Sequence, residues 1–271
     1  MILIKIKNGI ARYLKIYCSL IKLSFGEILI FRINGLLLGL APIVWMLTIL
    51  VFLGIIFSKV KQLGGWSLWE VVFLTGTSEV MFIIYWSSFI GNLRIFINDV
   101  RTGRFDQSLL KPLNSRFLAS FKTLDFTLIG SFVSSLLVFI YSLVKVAERV
   151  DPSRIVGFIF LLILGYLICY FLHLIFASLA FFVTNARSFL DWIFEISDFG
   201  HYPAEIYPLG LRAFLTFFVP ILFFGYVPTA FLLGKLNWLY LFFAALIALA
   251  LYLISRCIWE QALKHYQSAS S

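Results

Sequence analysis

What this 271-residue chain has least of is charge: Asp, Glu, Lys and Arg make up 13% of it, against 62% hydrophobic residues and a mean hydropathy of +0.99. A soluble domain needs about 25% charged residues to cover its surface. A water-facing enzyme is therefore excluded, and hydrocarbon must replace water around much of the molecule. Cysteine is scarce as well. Cys18, Cys169 and Cys257 stand far apart, with no Cys-x-x-Cys pair and no His at zinc-ligand spacing, so they read as packing residues and no metal site is expected. No Gly-x-x-x-x-Gly-Lys-Ser/Thr run occurs, and the Lys122-Thr123 pair follows Phe121 where that motif needs Gly. The chain cannot cradle ATP by itself. His173 sits alone in an apolar run and His201 and His265 near surfaces, too scattered for a nucleophilic triad, so no catalytic residue is assigned. A cleavable leader is not expected either, because Arg12, Lys15 and Lys22 interrupt the stretch that follows Lys5 and Lys7.

What the chain does have is long apolar runs. The first 28 residues carry Lys5, Asn8, Arg12, Lys15, Ser19 and Lys22 on one helical face and Ile6, Ile10, Tyr13, Leu14, Tyr17, Leu20 and Ile21 on the other. Such a stripe predicts a helix lying in the membrane interface, too charged to span it. Six spans are expected after it, near 31–57, 69–96, 117–144, 155–184, 211–225 and 238–258. Gly35 and Gly39 in the first permit close helix contact. The segment 187–207 mixes Asp191, Glu195, Asp198 and Glu205 with aromatic residues and reads as an acidic amphipathic piece. The fifth span is short and contains Pro220, with Pro228 just beyond, so residues 225–234 leave the straight helical path. Backbone of that kind is tolerated at membrane depth only where protein buries it or water reaches it, which fits a re-entrant turn.

The net charge of +9 is read as loop charge that orients the spans rather than as a nucleic-acid surface. With the N-terminus in the cytoplasm, sixteen Lys and Arg fall inside and six outside: Lys59, Lys61, Lys145, Arg149, Arg154 and Lys235. An even number of spans with both termini cytoplasmic follows. Within the second span, Thr75, Thr77, Ser78 and Glu79 form a polar cluster. A carboxylate there must pair, face water or be protonated, so the cluster either lines a substrate path or forms a hydrogen-bonded contact between helices. Asp125, two turns into the third span, is expected to meet Arg94.

The loop 98–116 reads GRFDQSLLKPLN from Gly103 to Asn114 and carries Phe105, Asp106, Leu109, Leu110, Lys111 and Pro112. It resembles the loop between the second and third spans of ABC-2-type permeases, in the branch of efflux permeases often encoded in unlike pairs beside one ATPase. The likeness continues through Tyr202-Pro203, Ile206-Tyr207, Thr216, Pro220, Tyr226, Pro228 and Leu232 to Gly234, and again through Trp259, Leu263, Tyr266 and Ser268 to Ser270. One departure is Phe31 before Arg32, where Tyr is common.

This resemblance implies a single all-α integral membrane domain over residues 1–271: an N-terminal amphipathic interfacial helix, six transmembrane helices, and a re-entrant segment between the fifth and sixth. Loop 98–116 becomes a cytoplasmic coupling loop in which Arg101, Gly103, Arg104, Phe105, Asp106, Leu109 and Leu110 meet the ATPase. Phe105, Leu109 and Leu110 would give a short helix an apolar edge for a groove in that partner. The implied function is the permease subunit of an ATP-driven exporter in the plasma (inner) membrane. No cofactor is held by this chain, ATP and Mg being bound by ABC ATPase subunits. A second permease subunit completes the unit, and the branch's habit of unlike pairs favours a heterodimer over a homodimer. Membrane lipid is the remaining partner; nucleic acid is not one. The alternative is a proton- or ion-coupled secondary transporter with Glu79 as the coupling residue, although no repeat relates the two halves.

Overall fold

The computed structural model describes residues 13, 15–24, 26, 32–183 and 185–266, with backbone alone for 32–42 and 194. Among these residues every regular element is a helix, and extended pairing is limited to one antiparallel bridge, Leu63 with Trp66. Residues 15–24 form α1, part of the expected interfacial helix. The first twelve residues of that helix, the surroundings of Gly35 and Gly39, and the tail Ser268 to Ser270 lie outside the described residues.

Helix α2 (Arg32–Lys59) has 28 residues, about 42 Å at the α-helical rise. Next, α3 (Leu68–Tyr85) passes through a π-helical turn, Trp86–Ile90, into α4 (Gly91–Arg101). The short α5 (Asp106–Leu109) and α6 (Ser115–Ser120) precede α7 (Ile129–Val146) and α8 (Ile155–Ser178). Then come α9 (Arg187–Ser197), α10 (Leu209–Ala213), α11 (Tyr226–Leu232) and α12 (Leu239–His265). Four segments among the described residues are long and apolar enough to cross a membrane: Leu68–Arg101, Phe126–Arg149, Pro152–Phe181 and Leu239–His265. Shorter apolar stretches are Ile43–Lys59, the side-chain-described part of α2, and Leu209–Phe218.

Two expected boundaries shift. The third span does not begin at Phe117, because α6 ends at Ser120 and helix resumes only at the 3-10 turn Phe126–Leu128. Side chains supply the backbone partners that a helix would have given. Asn92 accepts from Thr123 N–H (2.9 Å) and donates to Thr123 C=O (2.8 Å), Ser24 Oγ accepts from Leu124 N–H (3.1 Å), and Ser87 C=O accepts from Asp125 N–H (2.9 Å). A break satisfied this way is stable at the edge of a bilayer. Asp125 consequently caps the new helix, accepting from Thr127 N–H at 3.0 Å. The expected partnership with Arg94 does not form; Arg94 bonds Asp191 on α9 instead, Nη2 to Oδ1 at 2.6 Å.

The fifth span stops short. Helix α10 continues only as the π turn Phe214–Phe218 before Val219 and Pro220, so Leu209–Phe218 covers about 15 Å. Residues 220–233 are then buried without exception. They fold as a tight hairpin, the 3-10 turn Ile221–Phe223 followed by α11, wedged against α8 and α3. The wedge fits because small residues face it. Gly165 of α8 lies under the Phe223 backbone, Gly157 lies under the Phe231 ring, and Gly225 touches Ser78 of α3. Around this centre α8 packs along α12, α3 along α7, and α2 against both α7 and α3.

Three of the six basic residues assigned to the outer side are bound into this end of the bundle. Arg149 and Lys235 reach Glu70 Oε1 at 3.1 and 3.4 Å, and Arg154 donates to the carbonyls of Phe231 (3.1 Å) and Leu236 (2.6 Å). The helical entry at Pro152 is capped by Asp151, whose carboxyl is held below its ordinary value by the side-chain and backbone bonds of Ser153.

Candidate functional site

Two places gather polar side chains that the hydrophobic core leaves unexplained. The first is the cluster on α3, at the centre of an otherwise apolar helix. Positions 75, 78 and 79 are three and four apart, so they share one helical face. That face meets the C-terminal end of the 3-10 turn Asp198–His201, where helix geometry leaves carbonyls without internal partners. Thr75 Oγ1 donates to its own helix at Val71 C=O (3.0 Å) and to His201 C=O (3.2 Å), while Ser78 Oγ donates to Gly200 C=O at 3.1 Å. Thr77 points elsewhere and bonds only Phe73 C=O, one turn back, at 2.8 Å.

Glu79 is 8% exposed and faces protein. Its Oε1 accepts from Trp45 Nε1–H at 3.4 Å and stands 3.6 Å from His201 Nε2, an ion pair whenever the imidazole is protonated. His201 Nε2 is buried and makes no hydrogen bond among the described residues. Thr75 and Ser78 thus stitch α3 to the 198–201 turn, and Glu79 adds a titratable group to the same seam. Thr75→Val keeps the shape but strands the His201 carbonyl. It is expected to lower stability by about 1–3 kcal/mol, read by unfolding in mild detergent, with Thr77→Val costing less than about 1 kcal/mol because its bond is internal to α3.

The second place is loop 98–116. Helix α4 ends at Arg101, which is exposed and bonds Asn98 Oδ1 at 3.2 Å. Gly103 takes φ 73°, a left-handed conformation that side chains other than glycine adopt with strain, and turns the chain back. Arg104 then bonds Asp99 (3.0 Å), which Lys122 also reaches (3.3 Å). The reversal tucks Phe105 inside, only 2% exposed, among Phe96, Phe181 and Tyr266 with ring centroids 5.1, 5.7 and 5.7 Å away.

This corrects the expected apolar edge. Phe105 cannot belong to a partner-facing surface, since burying its ring beneath α4 removes it from any groove. Asp106 opens the single turn of α5, and Leu109 and Leu110 remain outside, 40% and 86% exposed beside Lys111. The tip of the loop is therefore Leu110 on a base anchored by Phe105.

Sequence reasoning missed His201 as the neighbour of Glu79 and Asp191 as the partner of Arg94. Each pair is separated by about a hundred residues, and no local pattern links them. It also missed Glu205, which accepts from Trp66 Nε1–H (3.0 Å) and Tyr226 O–H (2.6 Å) and so ties the loop between α2 and α3 to α11. His173 has the partner expected of a packed histidine, with Nδ1 2.9 Å from Cys169 C=O. No group of three or more His, Cys, Asp or Glu able to hold a metal ion occurs among the described residues.

A family model described as ABC-2 family transporter protein matches residues 43–270, a stretch that includes both places. Comparison with curated proteins and with solved structures gives no match.

Proposed function

Because the chain belongs to the ABC-2 family of transporter proteins, and is thus a multi-pass membrane permease, we propose that it is the permease half of an ATP-driven exporter. Six spans, with α2 and the Leu209–Phe218 stub joining the four long segments, surround a re-entrant turn at 220–233. Both termini and loop 98–116 face the cytoplasm, and the membrane is the plasma (inner) membrane. ATP and Mg are bound by separate ATPase subunits, whose closure pushes on the tip of loop 98–116. A second permease completes the pathway, with an unlike partner favoured over a second copy.

The observation that carries this reading is the construction of that loop. An 86% exposed leucine is a poor solvent-facing residue, yet here Leu110 stands on a rigid aromatic base, as a contact that must transmit force requires. Leu110→Asp is expected to release the ATPase that copurifies in mild detergent, by tenfold or more, with the unfolding temperature unchanged because Leu110 packs on little within the chain. An ATPase that stays bound and coupled would remove this docking role. Transport by the chain with no ATPase present would refute the exporter assignment itself. Mass measurement of the complex from its native membrane separates one permease species from two.

The ion-coupled alternative draws on a specific feature, the Glu79 and His201 pair at 3.6 Å. Glu79→Gln discriminates between them: transport that becomes independent of the proton gradient supports ion coupling, whereas loss of stability alone supports a structural seam.

A further inference from the structure

Between Tyr13, α6, α8 and α12 lies an open cleft of about 380 Å³, apart from the α3 seam and from the Leu110 tip of loop 98–116, although the loop's last residues Asn114 and Arg116 help to line it. Its walls are rings. Tyr13 meets Phe117 edge-on at 4.9 Å, Phe121 stacks on Tyr170 at 5.8 Å, and Phe171 meets Tyr252 at 5.4 Å. The rings are held in place by hydrogen bonds. Asn114 N–H donates to the Tyr13 hydroxyl (3.1 Å), Tyr170 and Ser120 share a bond of 3.2 Å, and Trp259 Nε1–H ties α12 to Ser115 at 3.1 Å.

One charged side chain among the described residues lines this aromatic cleft: Arg116. It is half-buried, and its guanidinium forms no hydrogen bond or salt bridge among the described residues. The carboxylate of Glu260 on α12, its electrostatic neighbour, is already held by Arg256 at 2.9 Å. The described part of α1, residues 15–24, adds no acid and carries Lys15 and Lys22. Tyr13 O accepts from Asn114, which leaves the phenolic proton for a further acceptor.

Depth is fixed by α12. Its apolar run ends just before Arg256, and Tyr252 of the cleft lies one turn earlier, so the site straddles the boundary between acyl chain and headgroup. A guanidinium offers a fork of donors matched to a phosphate, and aromatic walls below it accept hydrocarbon. We propose that this cleft binds one anionic phospholipid of the leaflet in which α1 lies, its phosphate on Arg116 and one acyl chain along Phe171, Leu174 and Tyr252. The assignment requires that the chain be a membrane protein and is independent of what it transports. Basic pockets between helices at the membrane surface recognise such lipids by charge and shape together.

The test is native mass spectrometry of the purified chain, titrated in detergent with dioleoylphosphatidylglycerol, dioleoylphosphatidylcholine or inorganic phosphate. One phosphatidylglycerol per chain is expected to bind at least tenfold more tightly than phosphatidylcholine. Arg116→Gln should abolish that preference, and Arg116→Lys should restore part of it. Arg101→Gln, an exposed charge at the loop, should leave it intact. Equal binding of the two lipids, or equal loss in Arg101→Gln and Arg116→Gln, would show diffuse attraction and overturn the site. Competition by millimolar inorganic phosphate would mean a soluble anion site and overturn the lipid assignment. Unfolding temperatures of both Arg116 variants within a few degrees of the parent keep the comparison valid; if Arg116→Gln does not fold, the Lys variant must still lose affinity severalfold, and full affinity there overturns the proposal.

Discussion

Gly165→Val is expected to leave almost no folded permease in the membrane, and Gly165→Ala very little more. The reason is backbone against backbone. A Cβ on Gly165 falls inside the van der Waals envelope of the Phe223 carbonyl oxygen and stands 2.9 Å from its carbonyl carbon and 3.3 Å from Phe224 Cα. No rotamer change relieves such a clash. The whole 220–233 hairpin would have to back out of its seat between α8 and α3, taking with it the buried side chains of Leu222, Phe223, Tyr226 and Phe231. Overpacking a core by ordinary side-chain collision costs about 1–3 kcal/mol, and this collision, with nothing to yield, exceeds that range.

Gly225 supplies the control. There an added Cβ meets the side chain of Ser78, 2.9 Å from its Cβ and 3.1 Å from its Cα. Gly225→Ala should therefore also fail, but Ser78→Gly in the same chain removes the colliding Oγ and Cβ, leaves only the 3.1 Å approach to Cα, and should recover folded protein at the expense of one bond to the Gly200 carbonyl. Fluorescence-detected size exclusion of tagged protein reads both results. Monodisperse Gly165→Val at parental yield would show that the hairpin does not seat where the contacts put it. Failure of Ser78→Gly to improve Gly225→Ala would show that some other contact dominates.

Phe105→Ala is expected to cost about 3–5 kcal/mol, the range for emptying a buried phenylalanine site. Four parts of the chain converge on that ring: α4 through Phe96, the turn after α8 through Phe181, Tyr266 beyond α12, and the loop itself. Trp259 closes the group, 5.1 Å from Phe96 and 5.6 Å from Phe181. Phe105→Leu retains most of the volume and should cost under about 1.5 kcal/mol. Unfolding by graded SDS in mixed micelles would order the variants. A Phe105→Ala protein as stable as the parent would place the ring outside the cluster and return it to the partner-facing edge. The contrast with Leu110→Asp separates the two roles, since one variant weakens the fold and the other only the attachment of an ATPase.

The family was legible in loop 98–116 and in the order of residues from Tyr202 to Gly234, and the helical class in composition alone. Neither needed coordinates, because apolar runs long enough to span hydrocarbon have few other ways to satisfy their backbone. Helix ends were legible where a local rule operates. Asp151-Pro152 opens the 3-10 turn that leads into α8, and Gly103 and Gly234, with φ 73° at each, mark reversals. The third span escaped this reading because its start is set by side chains distant in sequence: Asn92 and Ser24 satisfy residues 123–124, and hydropathy does not register such bonds.

The tertiary structure decided which members of each motif act together. The pattern at 105, 109 and 110 put three apolar residues on a common edge, but a single left-handed glycine sent Phe105 inward and left the leucines outside. Four polar residues within five positions on α3, Thr75, Thr77, Ser78 and Glu79, looked alike. Helix phase turned Thr75 and Ser78 toward carbonyls of the 198–201 turn, Glu79 toward Trp45 and the His201 ring, and Thr77 away. Periodicity fixes directions around one helix, whereas the identity of what lies in each direction depends on chain packed from a hundred residues away, and only folding brings that chain into place.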